Sequence, residues 1–504
     1  MGRLWLNTLM KYAMKKRMHR LHYVAQHPHE VQSALLSQLV NAARETHWGK
    51  IHGFKKIYTP DDYAKYVQVQ DYETLKPFIQ RMMHGERDVL SMGAVNWFSK
   101  SSGTTNDKSK FIPVTISNLK TCHLKGAWDT SALIFNSRPN NTCYAGKFLF
   151  MGGAHQPYEP YPKTHVGDVS AIMIHHQPSI ANYIYAPSLE IAMMQNFEEK
   201  IERMAHALIK EDMRCLAGVP TWTVVLLRRI LEITRKDYIT DVWPNLQLYI
   251  HGGVSFLPYK NTFSEIIPKK DFIYWDIYNA SEGFFATQAQ DKGDDMMLLL
   301  QNGVYFEFLP ESEWYSTTPI AVPLKDVEVG KNYAPVITTN AGLWRYVPGD
   351  TVMFTSVYPY KIKITGRIKQ FVNAFGEEVM VSNTDKALAE TCDLFDAQVR
   401  EYTVAPIYFE ANSKGGHEWL IEFERPPQDM EAFNKHLDNS LQKINSDYEA
   451  KRFRNMAMVL PKLRAVPNGT FHNWLKSKGR FGGQNKVPRL ANHRQYLEEI
   501  LRFA

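Results

Sequence analysis

The sequence predicts an α/β protein in two parts: a large N-terminal domain of layered β-sheets and helices, residues 1–368, and a small C-terminal α+β domain, residues 369–504. The chain has 504 residues, which is too many for one typical hydrophobic core. Long helical patterns alternate with short β-rich runs in the first part. After Lys369 the pattern becomes a shorter βα alternation with no low-complexity linker. The boundary is therefore expected to be a tight hinge.

The first predicted element is a basic amphipathic helix over residues 3–23. Apolar residues recur there at helical spacing: Leu6, Met10, Met14, Met18 and Leu21. Cations lie between them: Lys11, Lys15, Lys16, Arg17 and Arg20. Such a helix can lie on an acidic membrane surface or pack on its own domain with a solvated basic face. Packing is the favoured interpretation, and contact with a membrane surface is the less favoured alternative.

Two more helices and four strands are predicted in the large domain. One helix starts at Ser188, as the N-cap, and continues through Met204, and the other follows Pro220 and continues through Ile233. The strands are predicted at residues 246–250, 272–278, 304–309 and 336–339. Helices alternating with buried strands indicate layered α/β packing.

Candidate ligand-binding residues follow two of these strands. Gly252 and Gly253 come just after one, and Ser281 and Glu282 come just after the next. Ligands of open α/β sheets bind beyond the carboxyl ends of strands, and a glycine pair lets a ligand approach the backbone closely.

The C-terminal part has its own short pattern. Strands are predicted at residues 418–424 and 456–460, and helices at residues 382–391 and 430–444. This pattern is typical of a small α+β domain.

Composition excludes several classes of protein. The 59 basic and 52 acidic residues are largely interspersed and give a net charge of +7, so a nucleic-acid interface is not expected. Four widely spaced cysteines indicate neither a disulfide framework nor a zinc site. No apolar run is long enough to span a bilayer, and the N-terminus lacks a signal-peptide core. The sequence predicts a soluble cytoplasmic protein.

Residues 101–110 have the composition of a phosphate-binding loop. Hydroxyl and backbone donors come from Ser101, Ser102, Gly103, Thr104 and Thr105. Lys108 and Lys110 add positive charge. The spacing does not match a Walker P-loop, which needs a second glycine directly before its lysine. Taken alone, the segment fits an ordinary polar loop as well as a phosphate site.

Five further segments, in order along the chain, have the character of known enzyme motifs: 278–282 (Tyr-Asn-Ala-Ser-Glu), 305–308 (Tyr-Phe-Glu-Phe), 344–350 (Trp-Arg-Tyr-Val-Pro-Gly-Asp), 366–378 and 483–489. On these motifs the chain from about residue 40 resembles the auxin-responsive Gretchen Hagen family of acyl-acid amido synthetases, within the adenylate-forming superfamily. The resemblance implies an ATP- and Mg²⁺-dependent ligase. Such an enzyme activates a small carboxylic acid as its acyl-adenylate, releases pyrophosphate, and passes the acyl group to an amino acid.

The resemblance also implies roles for single residues. Glu282 corresponds to the magnesium ligand, which suits the preference of Mg²⁺ for carboxylates combined with substrate phosphates. Tyr278 would face adenine, and Ser281 would offer a hydroxyl to the α-phosphate or the adenine edge. Asp350 would accept hydrogen bonds from the ribose hydroxyls, and Arg367 would add a second ribose or phosphate contact.

Three lysines complete the implied machinery. Lys110 stands where the superfamily ends its phosphate loop in lysine, and Lys486 resembles the C-terminal lysine that acts in the first half-reaction. Lys369 stands at the hinge about which the small domain of related enzymes rotates. The phosphate loop departs from the superfamily, because Asn106 replaces a glycine and the loop is one residue longer.

Several alternatives remain open. Arg345 is either part of the nucleotide site or a structural ion-pair partner. An acyl-CoA ligase would share the first half-reaction and differ in its acceptor. A nucleotide-binding scaffold or membrane-peripheral protein without catalysis would keep the fold, but it would not need all five of the following residues together: Lys110, Glu282, Asp350, Arg367 and Lys486.

Overall fold

The chain divides into two units, each with its own core. One comprises residues 1–253 and 269–363, and the other comprises residues 254–268 and 364–504. The division differs from the predicted domains in two places: the segment 254–268 groups with the C-terminal residues, and the boundary lies between residues 363 and 364 instead of 368 and 369. The computed structural model describes residues 4–101, 110–177, 181, 183–253, 256–314, 316–368, 371–372, 377, 379–407, 415–452, 458–479, 486–491 and 493–504.

Most helices of the first unit precede its long strands in the sequence. They are α1 (Leu4–Gln26), α2 (Pro28–Ala42), α3 (His47–Ile51), α4 (Pro60–Tyr66), α5 (Tyr72–Met83), α6 (Ile116–Asn118), α7 (Leu124–Ser137), α8 (Val169–His175), α9 (Leu189–Ala192), α10 (Phe197–Leu208), α11 (Pro220–Thr234) and α12 (Ile239–Val242). A π-helical turn, Leu119–His123, joins α6 to α7.

The strands up to the end of the first unit are β1 (Trp97–Ser101), β2 (Lys110–Pro113), β3 (Lys147–Phe150), β4 (His155–Tyr158), β5 (Tyr161–Gly167), β6 (Tyr185–Ala186), β7 (Met213–Gly218), β8 (Leu248–Gly252), β9 (Ile273–Ala280), β10 (Gly283–Gln288), β11 (Met296–Leu298), β12 (Val304–Pro310), β13 (Val322–Pro323), β14 (Asn332–Thr339), β15 (Asp350–Val357) and β16 (Tyr360–Arg367). The last of these, β16, continues into the second unit.

Most of these strands form one 12-stranded sheet in the order β13-β12-β14-β15-β16-β11-β10-β9-β8-β7-β3-β6. The run from β6 to β9 is parallel, and β9 turns back into β10 as an antiparallel hairpin. The carboxyl ends of β3, β7, β8 and β9 therefore meet at one edge of the sheet, where ligands of such sheets bind.

A second sheet of order β2-β1-β5-β4 carries the predicted phosphate loop. Strands β1 and β2 are antiparallel, and Ser101 pairs with Lys110 at their ends. The ends of the predicted loop are thus held side by side by a strand pair.

The second unit is a small α+β assembly. Its elements are α13 (Lys260–Ile266), β17 (Phe371–Val372), β18 (Val379–Met380), α14 (Val381–Phe395), β19 (Gln398–Ile407), β20 (Gly416–Arg425), α15 (Met430–Ile444), α16 (Ser446–Arg452), β21 (Lys462–Val466), α17 (Thr470–Ser477) and α18 (Gln495–Leu501). Strands β19, β20 and β21 form its main sheet. Tyr402, Trp419, Leu437 and Leu441 are buried in its core.

The α/β class and most predicted elements are confirmed, and two elements are corrected. The single helix predicted from Ser188 is two helices, α9 and α10, because Asn196 ends the pattern and caps α10 by accepting from the Glu199 N–H at 3.1 Å. The strand predicted at 456–460 is wrong where the structure describes it. Met458 forms only an isolated bridge to Gly415, and the strand of this region is β21.

Candidate active site

Ser281 and Glu282 form the two-residue turn of the β9–β10 hairpin. Ala280 pairs with Gly283 directly across that turn. Both residues of the turn are buried, with exposed fractions of 8% for Ser281 and 7% for Glu282. A Glu after a strand often begins a helix, but here the chain returns as a strand. The hairpin thus fixes a carboxylate at the carboxyl end of β9, at one edge of the large sheet.

Tyr278 and Asp350 are joined directly. The Tyr278 hydroxyl donates to Asp350 Oδ2 at 2.7 Å, although the two residues lie on different strands. The Tyr278 ring is buried and meets the Phe285 ring edge-on, with 4.9 Å between centroids. Asp350 follows Gly349, whose φ of 98° places it in the region that favours glycine. Gly349 therefore lets the chain bend directly before Asp350, and the tyrosine orients the Asp350 carboxylate.

His123 is a residue of this site that the sequence analysis missed. Its Nδ1 lies 3.1 Å from Oδ1 of Asn279, the residue that follows Tyr278 in the motif. The ring is completely buried, and burial lowers the pKa of His123 to about 4. A neutral imidazole thus positions the amide of the motif. The contact joins distant parts of the chain, so no local sequence signal could have revealed it.

Gly252 is required by close packing between β8 and β9. A Cβ atom at this position would lie 2.4 Å from the carbonyl oxygen of Ile277, the residue paired with it in β9. Gly253 has a φ of 81°. The pair therefore shapes the chain at the carboxyl end of β8, and Gly252 has a structural role whatever ligand it meets.

The predicted phosphate loop lies mostly outside the described residues. Four of its predicted donors are outside them: Ser102, Gly103, Thr104 and Thr105. Ser101 ends β1 and Lys110 begins β2. The Lys110 ammonium lies 5.6 Å from the centroid of the Tyr72 ring. The hydroxyl of that tyrosine accepts from the Phe111 N–H at 2.8 Å.

Arg345 is a structural ion-pair partner, as one of the two interpretations of the sequence held. Its guanidinium forms a two-point salt bridge with Glu307, with Nε–Oε2 at 2.9 Å and Nη2–Oε1 at 2.8 Å. Its Nη1 donates to the carbonyls of Ala64 and Val67. Arg345 and Glu307 are 4% exposed each. This pair ties the segment before Asp350 to β12 and to the end of α4.

Arg367 and Lys486 belong to the second unit. Arg367 ends β16, and Lys486 is exposed. Close behind Lys486, Arg489 forms a buried ion pair with Glu401 and lies 4.4 Å from the centroid of the Tyr402 ring. Burial raises the pKa of Glu401 to about 7. Arg489 thus anchors the segment that presents Lys486 to solvent.

A second feature that the sequence analysis missed lies at the carboxyl end of β3. The buried Lys200 ammonium donates to the carbonyls of Gly152 and Gly153 at 2.7 and 3.1 Å. Asp168 accepts from the Ala154 N–H at 3.2 Å. Burial lowers the pKa of Lys200 to about 8. Two charged side chains therefore hold the backbone that follows β3, at the same sheet edge as Gly252 and Glu282.

Models of one protein family match most of the chain. The GH3 family N-terminal domain matches residues 17–160 and 154–272, the central domain matches residues 297–367, and the C-terminal domain matches residues 382–495. The chain belongs to the GH3 family. This confirms the resemblance on which the sequence analysis relied.

A similar relative among GH3 proteins is the indole-3-acetic acid-amido synthetase GH3.3 of Arabidopsis thaliana, 24% identical, with 93% of this chain and 90% of the relative aligned. The solved GH3.15 acyl acid amido synthetase shares the fold with a TM-score of 0.79, at 16% identity, over 98% of this chain and 96% of that one. A 2-hydroxyisobutyryl-CoA ligase, solved in the postadenylation state with 2-HIB-AMP, matches with a TM-score of 0.62, at 13% identity, over 94% of this chain and 90% of that one. The chain therefore shares its fold with an acyl acid amido synthetase and with an acyl-CoA ligase.

Proposed function

We propose that this GH3 protein is an ATP-dependent ligase that activates a small carboxylic acid as its acyl-adenylate and transfers the acyl group to the amine of an amino acid. The observation that carries the proposal is the hydrogen bond from Tyr278 to Asp350 at the sheet edge that also holds Glu282. The named relatives support the chemistry, since they are amido synthetases.

Asp350 is proposed to hold the ribose of ATP. The Tyr278 hydroxyl already donates to Oδ2 and orients the carboxylate, and a second oxygen of the same group can accept from ribose hydroxyls. The Tyr278 ring packs against Phe285. The proposed role of Tyr278 is therefore to orient Asp350. Because the Tyr278 ring is buried, adenine would contact only the small part of it that remains exposed. Ser281, in the adjacent turn, is placed to offer its hydroxyl to the α-phosphate or to adenine.

Glu282 is proposed to hold Mg²⁺ together with the phosphates of ATP. The described residues contain no group of three or more His, Cys, Asp or Glu side chains that could hold a metal ion. A single carboxylate in a rigid, buried turn fits a magnesium ion that takes its other ligands from phosphates and water. Bound there, the ion would neutralise charge on the phosphates. Glu282→Gln would keep the turn and remove the ligand charge.

The β- and γ-phosphates are proposed to bind at the loop between β1 and β2. Its donors are Ser101, Ser102, Gly103, Thr104 and Thr105, and Lys110 adds charge at its end. Gly252 and Gly253 keep the chain after β8 close to the nucleotide. From the second unit, Arg367 would contact ribose or phosphate, and Lys486 would reach the reacting phosphate or carboxylate. Rotation of this unit about Lys369, which lies outside the described residues, remains a prediction.

The reaction then proceeds in two balanced steps. A carboxylate oxygen of the acid attacks the α-phosphorus of ATP, and the bond to the bridging oxygen of pyrophosphate breaks. The amine of the acceptor next attacks the acyl carbon, loses a proton, and expels AMP. Pre-positioned cations and hydrogen-bond donors stabilise the charge that moves in both steps. We further infer a cytoplasmic location, since Cys122, Cys143, Cys215 and Cys392 are buried free thiols.

The test is acid-dependent release of pyrophosphate. Purified protein is incubated with ATP, Mg²⁺ and a panel of carboxylic acids, first without acceptor and then with amino acids or CoA. We expect turnover with one class of acid, an amide product with an amino acid, and at least 100-fold less turnover for Glu282→Gln. A thioester product would favour the acyl-CoA ligase instead. ATP binding without turnover for any acid would favour a non-catalytic nucleotide-binding protein.

A further inference from the structure

Helix α1 is fixed to the first unit by one of its faces. Met14, Met18 and Leu21 are buried. The Arg17 guanidinium turns inward and bonds Asp129 at 2.6 Å, and the Asn7 amide donates to the carbonyl of Asn141 at 3.0 Å. The expectation that α1 packs on its own domain is met along this face. Because the helix is held rigidly, its opposite face is presented in a defined orientation.

The outward face of α1 carries a stripe of large apolar side chains. Trp5, Tyr12 and Tyr23 are 70%, 76% and 55% exposed. At 100° per residue they project within about 20° of one another around the helix axis. Leu4 and Leu9 flank the first turns and are 58% and 56% exposed. A helix that only covered its own domain would gain nothing from these residues, since apolar side chains are unfavourable in water.

Cations border this stripe on both sides. At 100° per residue, Lys16 lies about 20° from Trp5 and Tyr23, Arg20 about 60° on that side, and Lys15 and Lys11 about 80° and 120° on the other; all four are exposed. None of them forms a salt bridge with a described residue, and α1 contains no Asp or Glu. Some exposed helix cations elsewhere in the chain do have acidic partners, for example Lys435 with Glu431. The outward face of α1 is therefore both apolar and strongly positive.

We propose that the outward face of α1 binds the surface of an anionic lipid membrane. Tryptophan and tyrosine side chains favour the boundary between headgroups and acyl chains, and bordering lysines bind acidic headgroups. A helix that lies in the membrane plane buries one such face in the lipid. Its opposite face can stay packed on the protein, as the buried face of α1 is. No helix in the described ranges has the length and hydropathy to cross a bilayer, so the contact is peripheral.

The test is flotation of the full-length protein with vesicles. Phosphatidylcholine vesicles with and without phosphatidylserine are compared at low and high salt. We expect binding only to the anionic vesicles, weakened by salt. Each cation near such a surface contributes about a fivefold change in partitioning, so the triple variant Lys11→Glu, Lys15→Glu, Lys16→Glu should lose at least about 100-fold.

Matched controls distinguish binding through this face of α1 from non-specific electrostatic or hydrophobic binding to vesicles. The triple variant Lys163→Glu, Lys236→Glu, Lys270→Glu changes the net charge equally at exposed positions of the same unit, and it should keep vesicle binding. Trp5→Ser with Tyr12→Ser should lose binding, whereas Tyr58→Ser with Tyr238→Ser should not. Pyrophosphate release in solution should be unchanged in all four, so this test is independent of the proposed activity.

Three results would overturn the membrane proposal. These are no binding to either vesicle, equal binding to neutral and anionic vesicles, and an equal loss in the control triple variant. Circular dichroism and thermal unfolding of each variant show whether it is folded.

Discussion

Replacing Arg345 by Met should destabilise the protein without removing its chemistry. The guanidinium is almost fully buried, bonds both oxygens of Glu307, and donates to the carbonyls of Ala64 and Val67. Removing it leaves a carboxylate and two carbonyl oxygens buried without these donors. Breaking a buried pair by deleting one partner costs about 3–5 kcal/mol. We expect a loss of about 4 kcal/mol in the free energy of unfolding.

The pH dependence of this variant gives a second, independent readout. Burial already raises the pKa of Glu307, and Arg345 opposes that rise. Without the arginine the pKa of Glu307 should rise further, because only desolvation remains. A group whose pKa is higher in the folded state contributes stability below its unfolded pKa and loses it as pH rises. The deficit of Arg345→Met should therefore be smaller near pH 5 than near pH 8.

Urea denaturation of the full chain, followed by tryptophan fluorescence, measures the effect, and pyrophosphate release per folded molecule measures the chemistry. Adding Glu307→Leu to Arg345→Met removes the stranded charge and should recover about 2 kcal/mol. A single variant within about 1 kcal/mol of the parent protein, or a double variant less stable than the single, would refute the structural role. Activity lost from fully folded Arg345→Met would place Arg345 in the nucleotide site instead.

Three further predictions concern the sheet edge. Tyr278→Phe keeps the ring and removes the hydrogen bond to Asp350, so the KM for ATP should rise about tenfold with little change in stability; an unchanged KM would contradict the orienting role. The pKa of His123 is lower in the folded state, so stability should fall as pH drops from 6.5 toward 4, by up to about 3 kcal/mol; His123→Gln should flatten this part of the profile, and an equally steep profile would count against it. Gly252→Ala should cost about 2 kcal/mol and lower pyrophosphate release, because its methyl group would press on the Ile277 carbonyl; a variant with parental melting temperature and activity would contradict this.

Regular elements with a clear period were predictable from the sequence. The helix α15 has the predicted bounds, 430–444, and α11 begins at Pro220, the residue after which a helix was predicted. The helix predicted from Ser188 failed because one side chain, Asn196, offers the backbone a cap that outweighs the continuing apolar pattern.

The candidate site was predictable only as a set of residue types. Motifs identified Tyr278, Glu282 and Asp350, but the bond between Tyr278 and Asp350 depends on how strands pair and is not written in either motif. The same holds for His123, whose partner Asn279 is 156 positions away. Such contacts depend on how the strands pair in the folded sheet. The local spacing of residues along the sequence does not reveal them.

The measurement that tests the central claim most directly follows an oxygen atom. A carboxylic acid that supports turnover is labelled with ¹⁸O in its carboxylate and incubated with ATP, Mg²⁺ and an amino acid, and the nucleotide product is analysed by mass spectrometry. If the carboxylate attacks the α-phosphorus, one labelled oxygen must leave with AMP when the amide forms. Label in AMP is the predicted result. Label in inorganic phosphate, with ADP as the nucleotide product, would show attack on the γ-phosphorus and contradict the account.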